Sequence, residues 1–374
     1  NNIMKTHYHT IIIGGGIGGS AAALRAAQNG MSAMWFTGSK TTRKRSRSQW
    51  VMNLDNIVGF HEDVIKNQVI KTLKRSKEES AADLISQTHY YINNRLIIQN
   101  TIDRISEYYP NITIIHEEVQ SLKKLERKFE IESESSKIST ESIILATGVM
   151  DKQPILTKQN KKGLKETSAK WIYPFANREQ VLYCIRCEGH LTQNHHIAII
   201  GNDNICAETA MMIHERYNTD VTILTNGDEP EISDEGLKLL THYEICINKK
   251  QITDIVSKSV RELNGFQLDD NSVINVKFAL VSLGLHRVYN DIAIMAGAEL
   301  LDDNQPQDKR HIRVNNKGES TVKNFFVVGD AAKRIDEPIM KQVYTAQEYA
   351  VRAVDTIDSR KRKKIRLEIL NNAN

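Results

Sequence analysis

Cysteine is scarce in this chain: Cys184, Cys187, Cys206 and Cys246 are the only four in 374 residues. That is too few for a secreted disulfide scaffold, so a close pair among them reads as redox or metal chemistry in a reducing compartment. Long apolar runs are missing as well, none approaching the ~20 residues that span a bilayer. No secretory pattern opens the chain, and its first apolar run, Ile11-Ile12-Ile13, leads straight into glycines. An excess of one charge is also lacking, and a net charge of +4 does not imply nucleic acid. The expectation is a cytoplasmic protein with no membrane and no nucleic-acid partner. Apolar content of 40% and charged content of 26% fit an ordinary globular protein. The length allows two cores, since domains run to ~100–200 residues.

What is present is organised around Tyr183-Cys184-Ile185-Arg186-Cys187-Glu188-Gly189-His190. A Cys-x-x-Cys pair holds two thiols close enough to close a small ring that opens and shuts as a two-electron switch. Glu188, directly behind the second cysteine, is a candidate proton carrier for the thiolate formed on opening. His190 lies within one turn of Cys187 if the segment is helical, which makes it a second candidate for proton transfer. His195 and His196 read as surface loop residues, Cys206 as a small packing residue and Cys246 as strand core. A zinc site from Cys184, Cys187, His190 and Cys206 is sterically permissible. No second Cys-x-x-Cys completes a four-ligand set, however, so no metal is expected. A c-type haem is excluded because Glu188, not histidine, follows Cys187.

Along the chain, Thr10–Ile13 reads as a buried strand. Gly14-Gly15-Gly16-Ile17-Gly18-Gly19 follows, then a helix over 20–28 closed by Asn29-Gly30, and a strand over 31–36. This strand, glycine turn, helix, strand unit is the context that makes G-x-G-x-x-G a dinucleotide signal. Gly14 allows the tight turn, Gly16 lets backbone approach a pyrophosphate, and Gly19 lets helix and strand pack closely. The helix N-terminus offers N–H groups to phosphate. No acidic residue ends the second strand, where Phe36-Thr37-Gly38-Ser39 stands, so a hydroxyl replaces the usual carboxylate to the ribose or the contact is absent. The basic run Arg43-Lys44-Arg45 with Arg47 reads as a solvated loop, and residues 64–99 as mixed helical sequence. Strands are expected at 112–115, 128–131 and 141–148. Residues 151–174 read as a linker. The strand, turn, helix, strand order then recurs at 197–200, 207–217 and 221–224, with a further strand at 278–283. A last strand at 325–328 precedes a closing helix over 342–358 and a basic tail, 360–366, that reads as frayed.

These landmarks, in this order, resemble the low-molecular-weight thioredoxin reductases, a class of pyridine nucleotide-disulfide oxidoreductases, over nearly the whole chain. The first glycine turn resembles the family's FAD turn. Leu54-Asp55-Asn56-Ile57-Val58-Gly59-Phe60 resembles its Val-Glu-Asn-x-Pro-Gly-Phe stretch, and Ala146-Thr147-Gly148 its Ala-Thr-Gly turn. Cys184-Ile185-Arg186-Cys187-Glu188-Gly189 resembles Cys-Ala-Thr-Cys-Asp-Gly. Gly284 through Asn290 resembles the crossing back to the FAD domain. Val328-Gly329-Asp330 and Lys341-Gln342-Val343-Tyr344-Thr345-Ala346 resemble the motifs that hold the flavin and its ribityl chain.

The resemblance implies an α/β fold of two Rossmann-like, three-layer dinucleotide-binding domains, the second inserted in the first. Residues 1–150 and 288–374 form the FAD-binding domain, and 151–287 the redox and pyridine-nucleotide domain. It implies FAD held by Gly14, Gly16, Gly19, Thr37, Gly38, Asn56, Ala146, Thr147, Gly148, Gly329, Asp330, Lys341, Gln342 and Val343. It also implies that Cys187 lies against the flavin, that Cys184 exchanges with a thioredoxin-like protein or small dithiol, that Glu188 protonates the departing thiolate, and that the protein is a homodimer.

The departures narrow this. Where the family has Gly-Gly-Gly-Asn-x-Ala for the NADPH pyrophosphate, Gly201-Asn202-Asp203-Asn204-Ile205-Cys206-Ala207 stands, with one glycine and a negative charge. Where a His-Arg-Arg clamp should meet the 2′-phosphate, Thr225-Asn226-Gly227-Asp228-Glu229-Pro230 is acidic. The family's Gly-Gly-Gln stretch beside the flavin is replaced by Arg45-Ser46-Arg47-Ser48-Gln49-Trp50, with Trp50 reading as a packing residue. The expectation is an FAD-dependent disulfide oxidoreductase whose donor, NADPH, NADH or ferredoxin, is open. A dithiol oxidase that returns electrons to oxygen is the alternative, and a flavin-binding module without turnover is a third class.

Overall fold

The computed structural model describes residues 7–51, 54, 56–59, 94–159, 162–258, 262–335, 337 and 341–372. The helical reading of residues 64–99 therefore lies outside the described residues as far as residue 93. The described chain divides into two compact units: unit 1 within Asn1–Gln49, Arg95–Met150 and Leu285–Asn374, and unit 2 within Trp50–Asn94 and Asp151–Gly284.

Unit 1 opens with β1 (His7–Ile13), whose β-branched run favours the extended chain, and α1 (Ile17–Gln28), rich in alanine. Then come β2 (Ala33–Phe36), α2 (Asn94–Tyr108), β3 (Ile112–Ile115), β4 (Val119–Lys124), β5 (Phe129–Ser133) and β6 (Lys137–Leu145). They form a sheet in the order β3-β2-β1-β6-β5-β4. The strands from β3 to β6 run parallel, and β5 and β4 add an antiparallel meander.

Unit 2 includes an antiparallel strand pair, Leu156–Gln159 with Lys165–Ser168, so the stretch read as linker carries its own hairpin. Its sheet uses β7 (Val181–Leu182), β8 (Ile197–Ile200), β9 (Val221–Leu224), β10 (Cys246–Asn248) and β11 (Phe278–Val281). Between them lie α3 (Ile185–Glu188), α4 (Asn204–Tyr217) and α5 (Asp234–His242). The order β7-β11-β8-β9-β10 is parallel throughout. Such strands are buried on both faces, which is why Ile197–Ile200 and Val221–Leu224 read as continuous apolar runs. Cys246 departs from its reading as strand core: β10 is the sheet's edge strand and the thiol is exposed.

The chain returns to unit 1 with β12 (Phe325–Val327), parallel to β6, and α6 (Val343–Asn372). The basic tail read as frayed is the last part of α6, held by Arg360 on Glu319 and Arg362 on Asp358. Alternate residues of β1, β2, β6 and β12 point to opposite faces. Ile11, Ile13, Phe36, Leu145 and Val327 enter one core. Ile12, Trp35, Ile144 and Phe326 enter the other, against alanines of α1 and α6. Each fully buried large side chain stabilises the unit by roughly 1.5–3 kcal/mol. Among the described residues no helix is long and apolar enough to cross a membrane.

Candidate functional site

In unit 1 the parallel register places five strand ends in one row. Ile13 pairs with Phe36, Phe36 with Ile115, Ile13 with Leu145, and Leu145 with Val327. Every landmark that follows a strand therefore starts one or two residues beyond the same line. Gly14 follows β1, Thr37 and Gly38 follow β2, Ala146–Gly148 follow β6, and Gly329-Asp330 follow β12. Ligands of parallel sheets bind outside this carboxyl edge.

At Gly14 the backbone adopts φ +128°, and an added Cβ would lie 2.1 Å from the Ala146 carbonyl oxygen. A Cβ on Gly19 would lie 1.9 Å from the Gly14 carbonyl oxygen, so both positions exclude any side chain. Gly16 faces open space. It is the N-cap of α1, no side chain caps this helix, and no acidic residue stands in its first turn. The first N–H groups are thus left for a ligand anion, which fits the pyrophosphate of a dinucleotide.

Thr37 is buried, and its hydroxyl is shared with His116 Nδ1 at 2.7 Å. Burial, with Arg43 adding, holds the His116 imidazole below its ordinary pKa. Neither His116 nor Tyr289 was singled out from the sequence. Tyr289 donates its hydroxyl to the Arg45 carbonyl at 2.5 Å and its N–H to the Gly148 carbonyl at 3.0 Å. The Thr147 hydroxyl donates to the Tyr289 carbonyl at 2.6 Å. Arg47, in the run read as solvated, is largely buried and lies 3.8 Å from the Asp330 carboxylate. Gln342 is buried ahead of α6, and its carbonyl accepts from the Thr345 hydroxyl and the Ala346 N–H. Lys341 precedes it, and Val343 opens α6 as a buried residue. Asn56 belongs to unit 2, so the structure does not group it with these turns.

The second glycine turn is built differently. Asp203 caps α4, its carboxylate accepting from the Cys206 N–H at 2.8 Å. The segment after β9 crosses the turn: Glu231 N–H donates to the Asn202 carbonyl at 2.7 Å, and Ser233 N–H to Asn204 Oδ1 at 2.8 Å. Asn202 Nδ2 in turn donates to the Glu229 carbonyl. The helix N-terminus thus already holds a carboxylate, beside Glu229 and Glu231. These residues do not fit a nucleotide pyrophosphate. The Cys206 thiol beneath is pushed up to about 12 by burial, with Asp203 adding, as a packing residue requires.

Cys184 and Cys187 are joined as a disulfide, with Cα atoms 5.3 Å apart, and both are buried. Cys184 is the N-cap of α3, its sulfur accepting from the Cys187 N–H at 3.3 Å. The Glu188 carboxylate turns back, Oε2 accepting the N–H groups of Tyr183 at 3.0 Å and Cys184 at 3.1 Å. It is 1% exposed, so the charge is held inside the turn that carries the sulfurs. His190 stands exposed on the following 3₁₀ turn, Gly189–Thr192. The His195 ring lies tilted against Phe278 and His196 bonds the Thr222 hydroxyl, so both are tied to unit 2's sheet.

Trp50 packs beside this loop, with its ring 4.6 Å from Tyr173 and 6.3 Å from Tyr183. The Tyr183 hydroxyl donates to Gln153 Oε1. Burial, with the charges of Asp151 and Glu188 adding, raises its phenol well above the ordinary value. Among the described residues no group of three or more His, Cys, Asp or Glu is placed to hold a metal.

The model of the pyridine nucleotide-disulphide oxidoreductase family matches residues 8–350. A thioredoxin reductase of Streptococcus pyogenes superposes with a TM-score of 0.71 at 13% identity, over 95% of this chain and 98% of that one. The thioredoxin reductase of Giardia duodenalis gives 0.67 at 15% identity, over 95% and 99%. These likenesses establish the fold as two Rossmann-type domains of the thioredoxin reductase kind. A curated relative from Ferdinandcohnia aciditolerans, named NADH dehydrogenase, is 23% identical over 94% of this chain and 58% of its own length. The chain spans a little over half the length of the curated relatives it matches.

Proposed function

The chain belongs to the pyridine nucleotide-disulphide oxidoreductase family, and from that premise we propose that it is an FAD-dependent thiol–disulfide oxidoreductase. Two electrons pass between the flavin and the Cys184–Cys187 disulfide, and then to or from a thioredoxin-like protein or a small dithiol. In this reading residues 1–150 and 288–374 bind FAD, residues 151–287 carry the disulfide, and the protein works as a homodimer. The observation that carries it is the closed Cys184–Cys187 ring with a buried carboxylate folded back on its turn.

The FAD turn is that of Gly14, Gly16 and Gly19, whose uncapped helix receives the pyrophosphate. Ala146, Thr147, Gly148, Gly329, Asp330, Lys341, Gln342 and Val343 line the same edge. Thr37 and Gly38 close the adenosine end, and the family resemblance adds Asn56. Bound FAD supplies the two-electron store. The chain supplies the rest. Opening the disulfide takes two electrons and one proton and leaves one thiolate and one thiol. The Cys187 N–H already points at Cys184 Sγ and stabilises negative charge there. Cys187 serves the flavin side and Cys184 the exchange with partner. Glu188 is oriented by two N–H donors beside the pair and moves the proton, with the exposed His190 as its outlet to solvent.

The Asp203 cap favours a second reading of the electron route, in which the donor is not a pyridine nucleotide bound at the second turn. A ferredoxin-type donor, or a dithiol oxidase that returns electrons to oxygen, satisfies it. The test is an anaerobic titration of the purified protein, following the oxidised flavin band near about 450 nm. Bleaching by dithiol or dithionite is expected, with slow or no bleaching by stoichiometric NADPH or NADH. Rapid bleaching by either nucleotide would remove the second reading. No flavin band after addition of FAD would sink the proposal as a whole.

A further inference from the structure

Arg47 sits in a position that its sequence surroundings do not announce. It lies in a run of basic residues with hydroxyls and is nonetheless only 15% exposed, its guanidinium 3.8 Å from Asp330. The segment around it is tied to the fold through Arg45 and turns locally beyond it. Behind it, Tyr289 ties the Arg45 carbonyl to the Gly148 carbonyl, and Thr147 ties Tyr289 in turn. Ahead of it, the 3₁₀ turn Arg47–Gln49 begins, with Ser46 and Ser48 sharing their hydroxyls. The run therefore lies across the carboxyl edge of the unit 1 sheet, between the turn after β6 and the turn after β12.

We propose that Arg47 is a residue of the FAD site and that its fixed positive charge favours the reduced state of the bound flavin. This rests on the FAD reading above. The electrostatics set the direction. Two electrons and one proton added to a neutral isoalloxazine leave one net negative charge, the electrons coming from the dithiol or donor of the proposed reaction. A cation held in a water-poor edge stabilises that form over the oxidised one. Asp330 partly offsets it, so the pair sets the potential between the two extremes. Arginine serves here because its planar guanidinium stays charged at any working pH and stays placed against a carboxylate.

The experiment is the flavin midpoint potential, read by anaerobic dye equilibration on the FAD-loaded protein and on R47Q, R47K and D330N. R47Q is expected to lower the reduced-to-oxidised ratio at a given potential by at least tenfold, about 30 mV for a two-electron couple. R47K is expected to stay near wild type, and D330N to move the ratio the opposite way. The dissociation constant for FAD, from flavin fluorescence with the apoprotein, is expected to rise at least threefold in R47Q. A wild-type potential in R47Q overturns the assignment, whatever happens to FAD affinity, and so do shifts of the same sign in R47Q and D330N. Should R47Q fail to fold, the sign of the D330N shift decides alone. A wild-type protein that takes up no flavin defeats the proposed function instead, so the two failures are told apart.

Discussion

At the scale of single residues, the four thiols behave in three ways for three physical reasons. Cys184 and Cys187 are closed as a disulfide, Cys206 is buried with its thiol pushed up to about 12, and Cys246 is exposed on an edge strand. A thiol reagent should therefore find one reactive cysteine in the native oxidised protein, and Cys246→Ser should remove it. Unfolding should raise the count to two, and reduction of the unfolded chain to four. Two fast-reacting thiols in the native oxidised protein would contradict this arrangement.

Glu188 makes a second residue-scale prediction. Its carboxylate accepts two buried N–H groups, and hydrogen bonds to a charged group contribute about 1.5–3 kcal/mol each. Glu188→Ala leaves both donors without that acceptor and should cost about 3 kcal/mol in urea denaturation of the oxidised protein. Glu188→Gln, which keeps an accepting oxygen, should cost clearly less. Equal losses would mean that the carboxylate does not fix the turn. The sequence marked Glu188 as a proton carrier by adjacency, but it did not show that the side chain folds back on Cys184. That contact depends on how tightly the chain turns between Tyr183 and Glu188.

At the scale of elements, the two glycine turns have the same strand, turn, helix plan and opposite electrostatics. The N-terminus of α1 has no side-chain cap, whereas that of α4 holds the Asp203 carboxylate. Loss of an N-cap costs about 1 kcal/mol, so Asp203→Ala should lower the urea midpoint by a corresponding amount. An unchanged midpoint would argue against the cap. The acidic position was legible in the sequence. The crossing of residues 229–233 over the turn was not, because backbone hydrogen bonds between Asn202 and Glu231 leave no mark on residue type.

The closing helix makes the opposite point. Its basic stretch has no apolar periodicity to announce a helix beyond Asp358, and the run of like charges reads as a frayed end. Arg360 reaches back to Glu319, which is fixed ahead of β12, and that long-range contact anchors the helix. Burial pushes the Glu319 carboxyl up, but the Arg360 guanidinium and the Asn324 N–H outweigh it, and the net shift is downward. A depressed carboxylate contributes stability that is complete above its unfolded pKa of about 4.3 and is lost as pH falls through the lower folded value. Urea midpoints measured between pH 6 and pH 3 should therefore fall more steeply for wild type than for Glu319→Gln. Parallel pH curves would show that the pair carries no linkage.

At the scale of the molecule, the sheet core of unit 2, among the described residues, runs from Leu182 to Leu280 within one stretch of the chain. The fragment 151–284 should accordingly fold alone, with a single cooperative urea transition and a disulfide that small reductants open without flavin. A non-cooperative transition would mean that residues outside this stretch are needed to complete the core. Unit 1, by contrast, pairs β1 with β6 and β6 with β12, strands separated by well over a hundred residues each time, and no comparable fragment is expected to fold.

The sequence by itself determined the features that are written in neighbouring residues. Glycines at 14, 16 and 19 dictate a tight turn and close packing, β-branched runs dictate buried parallel strands, and Cys184 and Cys187 are spaced for a ring. These are short-range steric facts, and the α/β fold of two Rossmann-type domains follows from their order. Only the tertiary structure decided what the turns face. Strand register brings Gly14, Thr37, Ala146 and Gly329 to one edge, sets Arg47 against Asp330, and closes the second turn with Asp203 and Glu231. The alternation of residue types fixes which face of each strand is buried, but which distant strand becomes its neighbour is decided by hydrogen bonds and packing between parts of the chain far apart in sequence.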